Sequence, residues 1–571
     1  MSFSNDSSPT SSLPGSPESA TSLSSLSESS EYRAPLSGEA PEPSIDGTSV
    51  GGGEGDIRAS SAEEISEDDK KLALSLKSQA NSHFTASRYR EALDMYTASL
   101  NKNPFDPIVW SNRAAVRLKL EEHGLAIADS TRAIELDSRA VKAYYRRAIA
   151  NLAILKPKAA LVDFKQVMKL DPNNAPARTQ MEATQKLIKR LAFEAAIAGK
   201  EEEPMSIKMR KMVDEGASPL PADYTGPRLA DNERITPEFI DSMIQYFKDG
   251  NLIPKRISWQ ILLGAYDALR EEESLVDVPI PEGQTVDVIG DCHGQYYDFM
   301  HLLSLTGKPS ETHSLVFDGD LVDRGSWSTE ILLTVLAYKW LYPRNVFINR
   351  GNHETTDMNR VYGYEGEATK KYGVQMYKLS EEIFTSLPLA TLITASAPPR
   401  VDASPNPPNP TLYQGVKRFF VVHGGLFSKD GVTLDDIRSI PRMSLKQPGQ
   451  EGLMCEALWA DPQDAPGRGP SKRGVGLGFG PDVTRRWTDE NEVTAVIRAH
   501  EVRQGGYSVE HDGRLITVFS APNYVDQVGN LAAFVRIDET GEMKFTTFEA
   551  QPHPAHIRPM MYAGGMMGLG M

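Results

Sequence analysis

A spacing of 34 residues organises the chain between residues 69 and 180. Alanine recurs at this spacing in two registers, Ala80, Ala114 and Ala148, and Ala92, Ala126 and Ala160. Large apolar residues recur with it, namely Leu76, Trp110 and Tyr144, and Phe84, Leu118 and Leu152. Small residues where two helices touch, flanked by large apolar ones, are typical of a helix–turn–helix unit stacked on copies of itself. The spacing therefore predicts three stacked helical units.

Proline residues mark the ends of two of the three units. "NP" at 103–104 and "DPN" at 171–173 each follow a helical pattern, which a proline stops. The array resembles a three-repeat tetratricopeptide domain. A further helical pattern at 179–198 continues it, so the predicted all-α solenoid covers residues 69–198.

Two segments outside the array lack the residues to build a core. Residues 1–65 consist of Ser, Pro, Gly and acidic residues with almost nothing to bury, so they cannot offset their ordering entropy. We therefore predict a disordered tail. Residues 199–232 are polar and proline-rich, which is typical of a linker.

The charge of the chain is concentrated in its first segment. The net charge is −16, but residues 1–70 hold 14 acidic against 3 basic residues, so the remainder is close to neutral. A near-neutral folded part argues against nucleic-acid binding. Two cysteines, Cys292 and Cys455, form no disulfide framework and fit a reducing compartment. No apolar run reaches the ~18 residues of a membrane span, so we expect a soluble protein without such a span.

A different pattern begins after the linker. Helical patterns at 236–250 and 257–273 precede short apolar runs, each followed by glycine or polar side chains. The runs are "TVDVIGDCHG", "SLVFDGDLVDRG", "NVFINRGNHE", "FFVVHGGL", "AVIRAHEV" and "ITVFSAPNY". Apolar runs bounded by turn signals, with helical stretches between some of them, predict the strands of a layered α/β sheet.

The polar side chains that follow these runs form one candidate site, because loops held by rigid strands bring functional groups together. The loop residues are Asp291, His293, Asp320, Asp323, Arg324, Arg350, Asn352, His353, His423 and His500. Carboxylate, imidazole and amide groups suit Mn, Fe or Zn better than metals that prefer thiolates. Two ions can be held if one aspartate bridges them. The predicted ligands are Asp291, His293 and Asp320 for the first ion, and Asp320, Asn352, His423 and His500 for the second.

Each of these motifs also has a structural interpretation. The carboxylates of residues 314–325 fit a solvated acidic turn or a helix N-terminus capped by aspartate. A lone histidine after a strand is more often a hydrogen-bonded structural residue than a ligand. The coincidence favours a metal site, because four of the 11 histidines follow separate apolar runs, each beside Gly, Asn, Ala or a carboxylate.

The motifs "GDCHGQ", "GDLVDRG", "RGNHE", "HGGL" and "SAPNY" occur in the order typical of one enzyme family. From about residue 234 onwards the chain resembles the phosphoprotein serine/threonine phosphatases, which belong to the calcineurin-like metallophosphoesterases. Tetratricopeptide repeats before such a domain are similar to one subfamily of these enzymes. The resemblance implies a multidomain chain, in which the all-α solenoid precedes a layered β-sandwich flanked by helices. It implies a catalytic domain at residues 233–550 and a regulatory tail at 551–571.

The resemblance also implies the roles of the site residues. Two divalent cations, Mn or alternatively Fe or Zn, lower the pKa of water and supply a nucleophile near neutral pH. His353 is the implied general acid, and Asp323 holds its other ring nitrogen. The planar fork of arginine matches two phosphate oxygens. The residues implied to meet the phosphate are Arg324, Asn352, Arg473 (in "SKRG") and Tyr524.

One face of the repeats carries side chains suited to an acidic peptide. Lys77 and Asn81, like Lys142 and Arg146, stand four apart on the first helices of repeats one and three. Asn112 takes the matching face of repeat two. A solvated polar face is one interpretation. The other, from the resemblance, is a clamp that grips the carboxylates at the C-terminus of heat-shock protein 90.

The resemblance further implies autoinhibition. In the subfamily the repeats lie across the catalytic cleft until peptide or lipid binds, and a C-terminal helix helps to hold this closed state. Here the tail ends in "AGGMMGLGM", and each of its four glycines weakens a helix by roughly 1 kcal/mol relative to alanine. We therefore expect looser autoinhibition. A proline-rich stretch at 394–411 resembles an insertion and predicts an exposed flexible loop.

The sequence thus predicts a monomeric protein serine/threonine phosphatase of the cytoplasm and nucleus, targeted and inhibited through its repeats. Two other classes of protein stay open. A metallophosphoesterase acting on nucleotides or diesters shares the metal motifs, although "RGNHE" with "SAPNY" and "SKRG" favours phosphoprotein substrates. A non-catalytic adaptor would require a lost ligand, whereas every expected ligand and His353 is present.

Overall fold

The 34-residue units form three helix pairs in the computed structural model, which describes residues 65–197, 203–229, 234–396, 416–555 and 557. The pairs are α1 (Glu67–Thr85) with α2 (Tyr89–Lys102), α3 (Pro107–Lys119) with α4 (His123–Leu136), and α5 (Val141–Ala153) with α6 (Pro157–Leu170). The last helix of the array is α7 (Ala175–Ile197). All six repeated alanines are fully buried between helices, which is why larger side chains do not fit there. The predicted helical solenoid is confirmed.

A repeated arginine in the second and third helix pairs bonds both to its own pair and to the pair before it. Arg113 donates two hydrogen bonds of 2.9 Å to Asp129 and one of 3.2 Å to a threonine of the preceding pair. Arg147 repeats all three bonds 34 residues later, with Asp163 as its carboxylate. Because bidentate arginine–carboxylate pairs demand one geometry, the two ion pairs orient the helices within a unit, and the bonds to threonine join each of these units to the one before it.

Two mixed sheets face each other in the second half of the chain, with a small third sheet beside them. One has the strand order β1-β5-β6-β10-β12-β11, the second β14-β13-β2-β3-β4 and the small one β7-β9-β8. The strands are β1 (Leu275–Ile280), β2 (Thr285–Ile289), β3 (His313–Phe317), β4 (Val346–Ile348), β5 (Ala390–Ala395), β6 (Lys417–Val422), β7 (Asp461–Pro462), β8 (Arg468–Pro470), β9 (Leu477–Phe479), β10 (Ala495–Arg498), β11 (Tyr507–Glu510), β12 (Leu515–Val518), β13 (Ala532–Asp538) and β14 (Met543–Phe548). Val316, Val421 and Val535 lie in the core between the two large sheets. The predicted layered sandwich is confirmed.

Helices cover the outer faces of this sandwich. They are α8 (Met205–Asp214), α9 (Pro237–Lys248), α10 (Lys255–Leu269), α11 (Tyr296–Thr306), α12 (Ser328–Leu341), α13 (Thr356–Tyr362), α14 (Tyr364–Tyr372), α15 (Val374–Ser386), α16 (Leu434–Arg438), α17 (Arg442–Leu445), α18 (Leu453–Trp459) and α19 (Pro481–Glu490). One helical layer shares a core with Leu315 and Ile348, and the other with Phe420 and Val496. No helix in the described ranges has the length and apolarity to cross a membrane.

The range 199–232 is not the simple linker that its composition predicts. It contains α8, whose Met209 is fully buried in the same core as α10 and α15. Arg256 of α10 donates hydrogen bonds to the carbonyl oxygens of Val213 and Ala217, at 2.5 and 3.0 Å. The composition of this range does not predict the packing, because only a few apolar residues among many polar ones and prolines are buried. Residues 203–229 therefore pack into the same core as the helices that cover the two large sheets.

Three other predictions fall wholly or largely outside the described residues. Of the tail predicted to be disordered at 1–65, only Ile65 is described. The insertion predicted at 394–411 starts inside β5, which ends at Ala395, and residues 397–415 are outside the description. The glycine-rich end of the chain, 558–571, is outside it as well.

Candidate metal centre and phosphate-binding site

The candidate site lies where strands of the two large sheets end. The loops after β2, β3 and β4 carry Asp291, His293, Asp320, Asp323, Arg324, Asn352 and His353. The loops after β6 and β10 carry His423 and His500. β2, β3 and β4 are parallel, as are β6 and β10. Within each sheet the carboxyl ends of these parallel strands meet at one edge. The two edges also meet each other, because Asp291 after β2 accepts a hydrogen bond at 3.0 Å from the N–H of His500 after β10, 209 positions away.

The backbone of these loops takes a conformation that side chains disfavour. φ is positive at His293, Asp320, Asp323, Arg324 and His500, which costs on the order of 1–3 kcal/mol at a residue other than glycine. Hydrogen bonds between the loops hold it; the N–H of His293 donates to the Asp320 carbonyl oxygen at 2.9 Å. Strain of this kind concentrates at functional sites.

Glu354, which sequence analysis did not single out, ties two of these loops together. It is fully buried and accepts hydrogen bonds of 2.8 to 2.9 Å from the N–H groups of Asp320, Leu321 and Gly351. Arg350, also fully buried, donates to the Glu354 carbonyl oxygen at 2.9 Å. The only signal in the sequence is the last letter of "GNHE", which a helix cap explains equally well.

His293 presents a nitrogen lone pair to two carboxylates. Its Nδ1 lies 3.0 Å from the carbonyl oxygen of Val322, so Nδ1 carries the ring proton. Nε2 is then an acceptor in the neutral ring, yet it faces Asp291 Oδ2 at 3.6 Å and Asp320 Oδ2 at 3.5 Å. Lone pairs that converge without a proton between them are a donor set for a cation.

His423 repeats this arrangement beside His500. Its Nδ1 lies 2.7 Å from the carbonyl oxygen of Asp318 and carries the proton. Its Nε2 lies 3.0 Å from Asn352 Oδ1, 3.2 Å from His500 Nδ1 and 3.3 Å from Asp320 Oδ2. Asp320 Oδ2 faces both histidine groups, which is the position that a bridging ligand requires.

The electrostatics of the two groups also favour positive charge. Burial opposes protonation of His423, but Asp320 outweighs burial and raises the pKa of His423 to about 9. Burial likewise opposes protonation of His293, and the carboxylates of Asp291 and Asp320 raise its pKa to about 8. Divalent cations would satisfy the same carboxylates with both rings neutral. The residues present thus fit a metal centre.

A group of nearby donor atoms places His353 beside His293 and Asp320, which adds a member that the predicted ligand sets do not contain. Ligand atoms of His293, Asp320 and His353 lie within 4.8 Å of one another, and so do those of Asp320, His423 and His500. The His353 ring therefore lies as close to His293 and Asp320 as a metal ligand would. Its Nδ1, however, lies 2.8 Å from Asp323 Oδ2. The roles of ligand and of general acid stay predictions.

Three of the predicted phosphate-binding residues surround a carboxylate of the repeat domain. Glu121 Oε1 lies 2.7 Å from Arg324 Nη2 and accepts a hydrogen bond of 3.5 Å from the Tyr524 hydroxyl. Glu121 Oε2 lies 3.5 Å from Arg473 Nη1. Burial opposes ionisation of Glu121, but Arg324 and Arg473 outweigh it and lower its pKa to about 2. The Glu121 carboxylate thus pairs with both arginines that are predicted to bind phosphate.

The turn between the paired helices presents Glu121 to the site. φ is +57° at Ser87, +60° at Glu121 and +61° at Leu155, so the same left-handed residue recurs at the 34-residue spacing. Sequence analysis missed Glu121 because an acidic residue in a turn is usually solvated. The repeat itself was the available signal, since it places Glu121 at the tip of the middle unit.

Four of the five predicted peptide-binding residues line one groove of about 630 Å³ on the repeats. These are Asn81, Asn112, Lys142 and Arg146. Arg146 also donates hydrogen bonds of 2.7 Å to the carbonyl and hydroxyl oxygens of Ser111. The structure does not bring Lys77 into the groove lining; its ammonium instead pairs with Asp106 at 2.9 Å.

Comparison with known proteins gives matches over both parts of the chain. A family model of calcineurin-like phosphoesterases matches residues 284–504, and a model of the PPP5 TPR repeat region matches residues 181–277. The serine/threonine-protein phosphatase T of Aspergillus oryzae is 47% identical over 495 residues, which cover 87% of this chain and 98% of that protein. The serine/threonine-protein phosphatase 5 of Homo sapiens is 42% identical over 502 residues, which cover 88% of this chain and 95% of that protein.

A solved structure is similar as well. It is a protein serine/threonine phosphatase from Saccharomyces cerevisiae, described as similar to human phosphatase PP5. The two share 39% identity and a TM-score of 0.51, over 57% of this chain and the whole of that one.

Proposed function

The chain belongs to the serine/threonine-protein phosphatase 5 family and is a protein serine/threonine phosphatase; from this premise, we propose that its repeats inhibit its own active site and that an acidic C-terminal peptide releases them. One observation carries the proposal. The Glu121 carboxylate lies between Arg324 and Arg473, where a substrate phosphate would bind. Substrate and Glu121 cannot use these donors at once.

The residues of the site support phosphate-ester hydrolysis. When bound, two divalent cations would lower the pKa of water and offset phosphate charge; we propose manganese, with iron or zinc as alternatives. Arg324 and Arg473 would hold the phosphate oxygens through charge-assisted hydrogen bonds. A protonated His353 would pass its Nε2 proton to the departing seryl or threonyl oxygen. Asp323, 2.8 Å from Nδ1, would stabilise that protonated ring.

The turn that carries Glu121 is fixed to the catalytic domain by its backbone. The N–H groups of Gly124 and Leu125 both donate to the Lys472 carbonyl oxygen, at 3.0 and 3.3 Å. A Cβ on Gly124 would lie 2.8 Å from the Gly474 nitrogen, so no side chain fits at this approach. Lys472 and Gly474 flank Arg473, so the docked turn contacts the same loop that supplies a phosphate ligand.

The next turn of the solenoid adds an apolar contact. Ile154 is 3% exposed and shares a core with Met358, Trp459 and Val475 of the catalytic domain. Burying such a side chain contributes roughly 2 kcal/mol. This contact supports a closed state that Glu121 does not hold alone.

The last helix of the array contributes charged contacts. Arg190 of α7 makes two hydrogen bonds of 2.5 and 3.0 Å to Glu365, and Glu194 pairs with Arg360 at 2.8 Å. Arg190 and Glu194 also pair with each other at 2.8 Å. Networks of this kind are worth more than isolated exposed pairs, and salt weakens them.

The peptide groove and the inhibiting turn share a helix. Asn112 lines the groove on α3, and Glu121 follows the same helix by two residues. A peptide that moves α3 would therefore move Glu121. By the family resemblance the peptide is the C-terminus of heat-shock protein 90, whose carboxylates Lys142 and Arg146 would grip.

The test is hydrolysis of a phosphoserine peptide with manganese by two chains. One is the full chain, and the other starts at residue 203, because α8 is part of the catalytic core. We expect the short chain to be much faster and an acidic C-terminal peptide to accelerate only the full chain. Equal rates would contradict autoinhibition. Inactivity of both chains with metal bound would contradict the substrate class and direct attention to nucleotides and diesters.

The groove has a matched control. Lys142→Ala with Arg146→Ala should abolish peptide binding in calorimetry, and Lys165→Ala with Lys169→Ala, two exposed lysines of α6, should leave it intact. Unchanged binding after the first pair of substitutions would contradict the clamp.

A further inference from the structure

Arg473 is held in place by two acceptors behind it. Its Nε donates to Asp461 Oδ2 and its Nη2 donates to the His500 carbonyl oxygen, both at 2.8 Å. Nη1 faces Glu121 Oε2 at 3.5 Å, on the side where phosphate would bind. The guanidinium is planar and its donors lie in that plane. Fixing two of its edges therefore fixes the direction of the third.

Asp461 is itself held by a second arginine. Its Oδ1 accepts a hydrogen bond of 3.0 Å from Nη2 of Arg498, whose side chain is fully buried. Arg498 also donates from Nε to the Gly424 carbonyl oxygen at 2.7 Å and from Nη1 to Glu501 at 2.9 Å. Gly424 follows His423 and Glu501 follows His500. The contacts from Arg498 through Asp461 to Arg473 thus fix the position of Arg473 relative to the two loops that carry His423 and His500, two of the predicted metal ligands.

We propose that Asp461 is a positioning residue, which orients the Arg473 guanidinium for the substrate phosphate. Asp461 does not touch the phosphate position, because both of its oxygens are bonded to arginines. A free arginine loses side-chain entropy when a ligand orders it. An arginine that Asp461 and His500 have already ordered loses less, so phosphate binds more tightly. The proposal rests on the proposed role of Arg473 in phosphate binding.

The experiment measures the KM of a phosphoserine peptide and the inhibition constant of inorganic phosphate. All variants are full chains that also carry Glu121→Ala, which removes the competing carboxylate. Asp461→Asn keeps the shape of the side chain but turns one acceptor into a donor facing an arginine. We expect both constants to rise about tenfold, with bound manganese per chain unchanged.

A double-mutant cycle separates positioning from general destabilisation. In chains that carry Arg473→Ala, Asp461→Asn should change neither constant by more than about twofold, because its target is gone. An equal tenfold rise in both backgrounds would overturn the proposal, as would no rise with Arg473 present. If Arg473→Ala alone leaves both constants unchanged, Arg473 does not bind phosphate, and the proposed role of Asp461 is refuted with it.

Asp287→Asn is the matched control. Asp287 is fully buried in the same domain and pairs with Arg536 through two hydrogen bonds of 2.6 and 2.7 Å, away from the site. It should lose stability as Asp461→Asn does but keep both constants. A tenfold rise in this control would overturn the proposal.

Arg473→Lys answers the question if Asp461→Asn does not fold. Lysine keeps the charge but has no planar fork that reaches Asp461, His500 and phosphate together. We expect Arg473→Lys to raise KM and the phosphate inhibition constant as much as Arg473→Ala does. Recovery to within about twofold of the chain with Arg473 would show that charge suffices, and would overturn the proposal.

Discussion

Replacing Glu121 with glutamine keeps the shape of the side chain and removes its charge. In the structure the Glu121 carboxylate lies 2.7 Å from Arg324 and 3.5 Å from Arg473. The two arginines lower its pKa from 4.5 to about 2 against the opposing effect of burial. A shift of this size corresponds to about 3 kcal/mol in favour of the charged side chain at this position. Glutamine forfeits that preference, so the ratio of closed to open molecules should fall by up to ~100-fold.

The assay is hydrolysis of a phosphoserine peptide by the full chain, with manganese, before and after addition of the acidic C-terminal peptide. If the closed state holds about 99% of the wild-type molecules, the variant should be about 10- to 50-fold faster than wild type before peptide. After peptide, the two rates should approach each other, because Glu121 has then left the site in both.

Glu122→Gln is the control, since it alters the neighbouring carboxylate. Glu122 faces Arg90 at 3.3 Å within the repeats, and its loss should leave the basal rate unchanged. The reasoning is refuted if Glu121→Gln leaves the basal rate at the wild-type value. It is also refuted if both variants accelerate the enzyme equally, because the repeats would then simply be unstable.

Three further predictions concern the acid, the pH and the charged contacts of α7. His353→Asn should lower kcat by about 10²- to 10⁴-fold with metal content unchanged; loss of metal would make His353 a ligand. Burial lowers the pKa of His123 from 6.5 to about 3 in the closed state, so that state binds fewer protons than an open state with an exposed ring. The stabilisation of the closed state by neutral, buried His123 is fully present above pH 6.5 and is lost as pH falls from 6.5 towards 3. The ratio of basal to peptide-activated rate should therefore rise about tenfold from pH 7.5 to 5.5; His123→Gln should flatten this rise, and a flat wild-type profile would contradict it. Arg190→Glu should raise the basal rate and Glu365→Arg in the same chain should lower it again, whereas independent effects would contradict direct pairing.

The sequence by itself determined those features that depend on local pattern. The 34-residue spacing was sufficient for the helix pairs, because each unit of a solenoid packs only on its neighbours and must repeat the same small residues. The predicted metal ligands and His353 were found because each stands just after an apolar run, whereas the roles of Arg473 and Tyr524 came from the family resemblance. Parallel strands bring such positions to one edge, whichever order the strands take in the sheet.

The tertiary structure decided the features that join distant segments. Composition predicts a linker at 199–232, but Met209 and a few other apolar residues bury α8 against the catalytic core. Glu354 and Asp461 look like ordinary acidic residues until backbone N–H groups and arginines from other loops surround them.

Glu121 shows the difference most clearly. Its hydrogen-bond partner Tyr524 is 403 positions away, and nothing near either residue in the chain indicates the other. Local pattern specifies which helices and strands form, because side-chain periodicity acts within one element. Which turn of the solenoid meets the catalytic loops depends instead on the shapes and charges of two folded surfaces. Only the folded chain therefore shows that Glu121 lies beside Arg324 and Arg473, where we propose that the substrate phosphate binds.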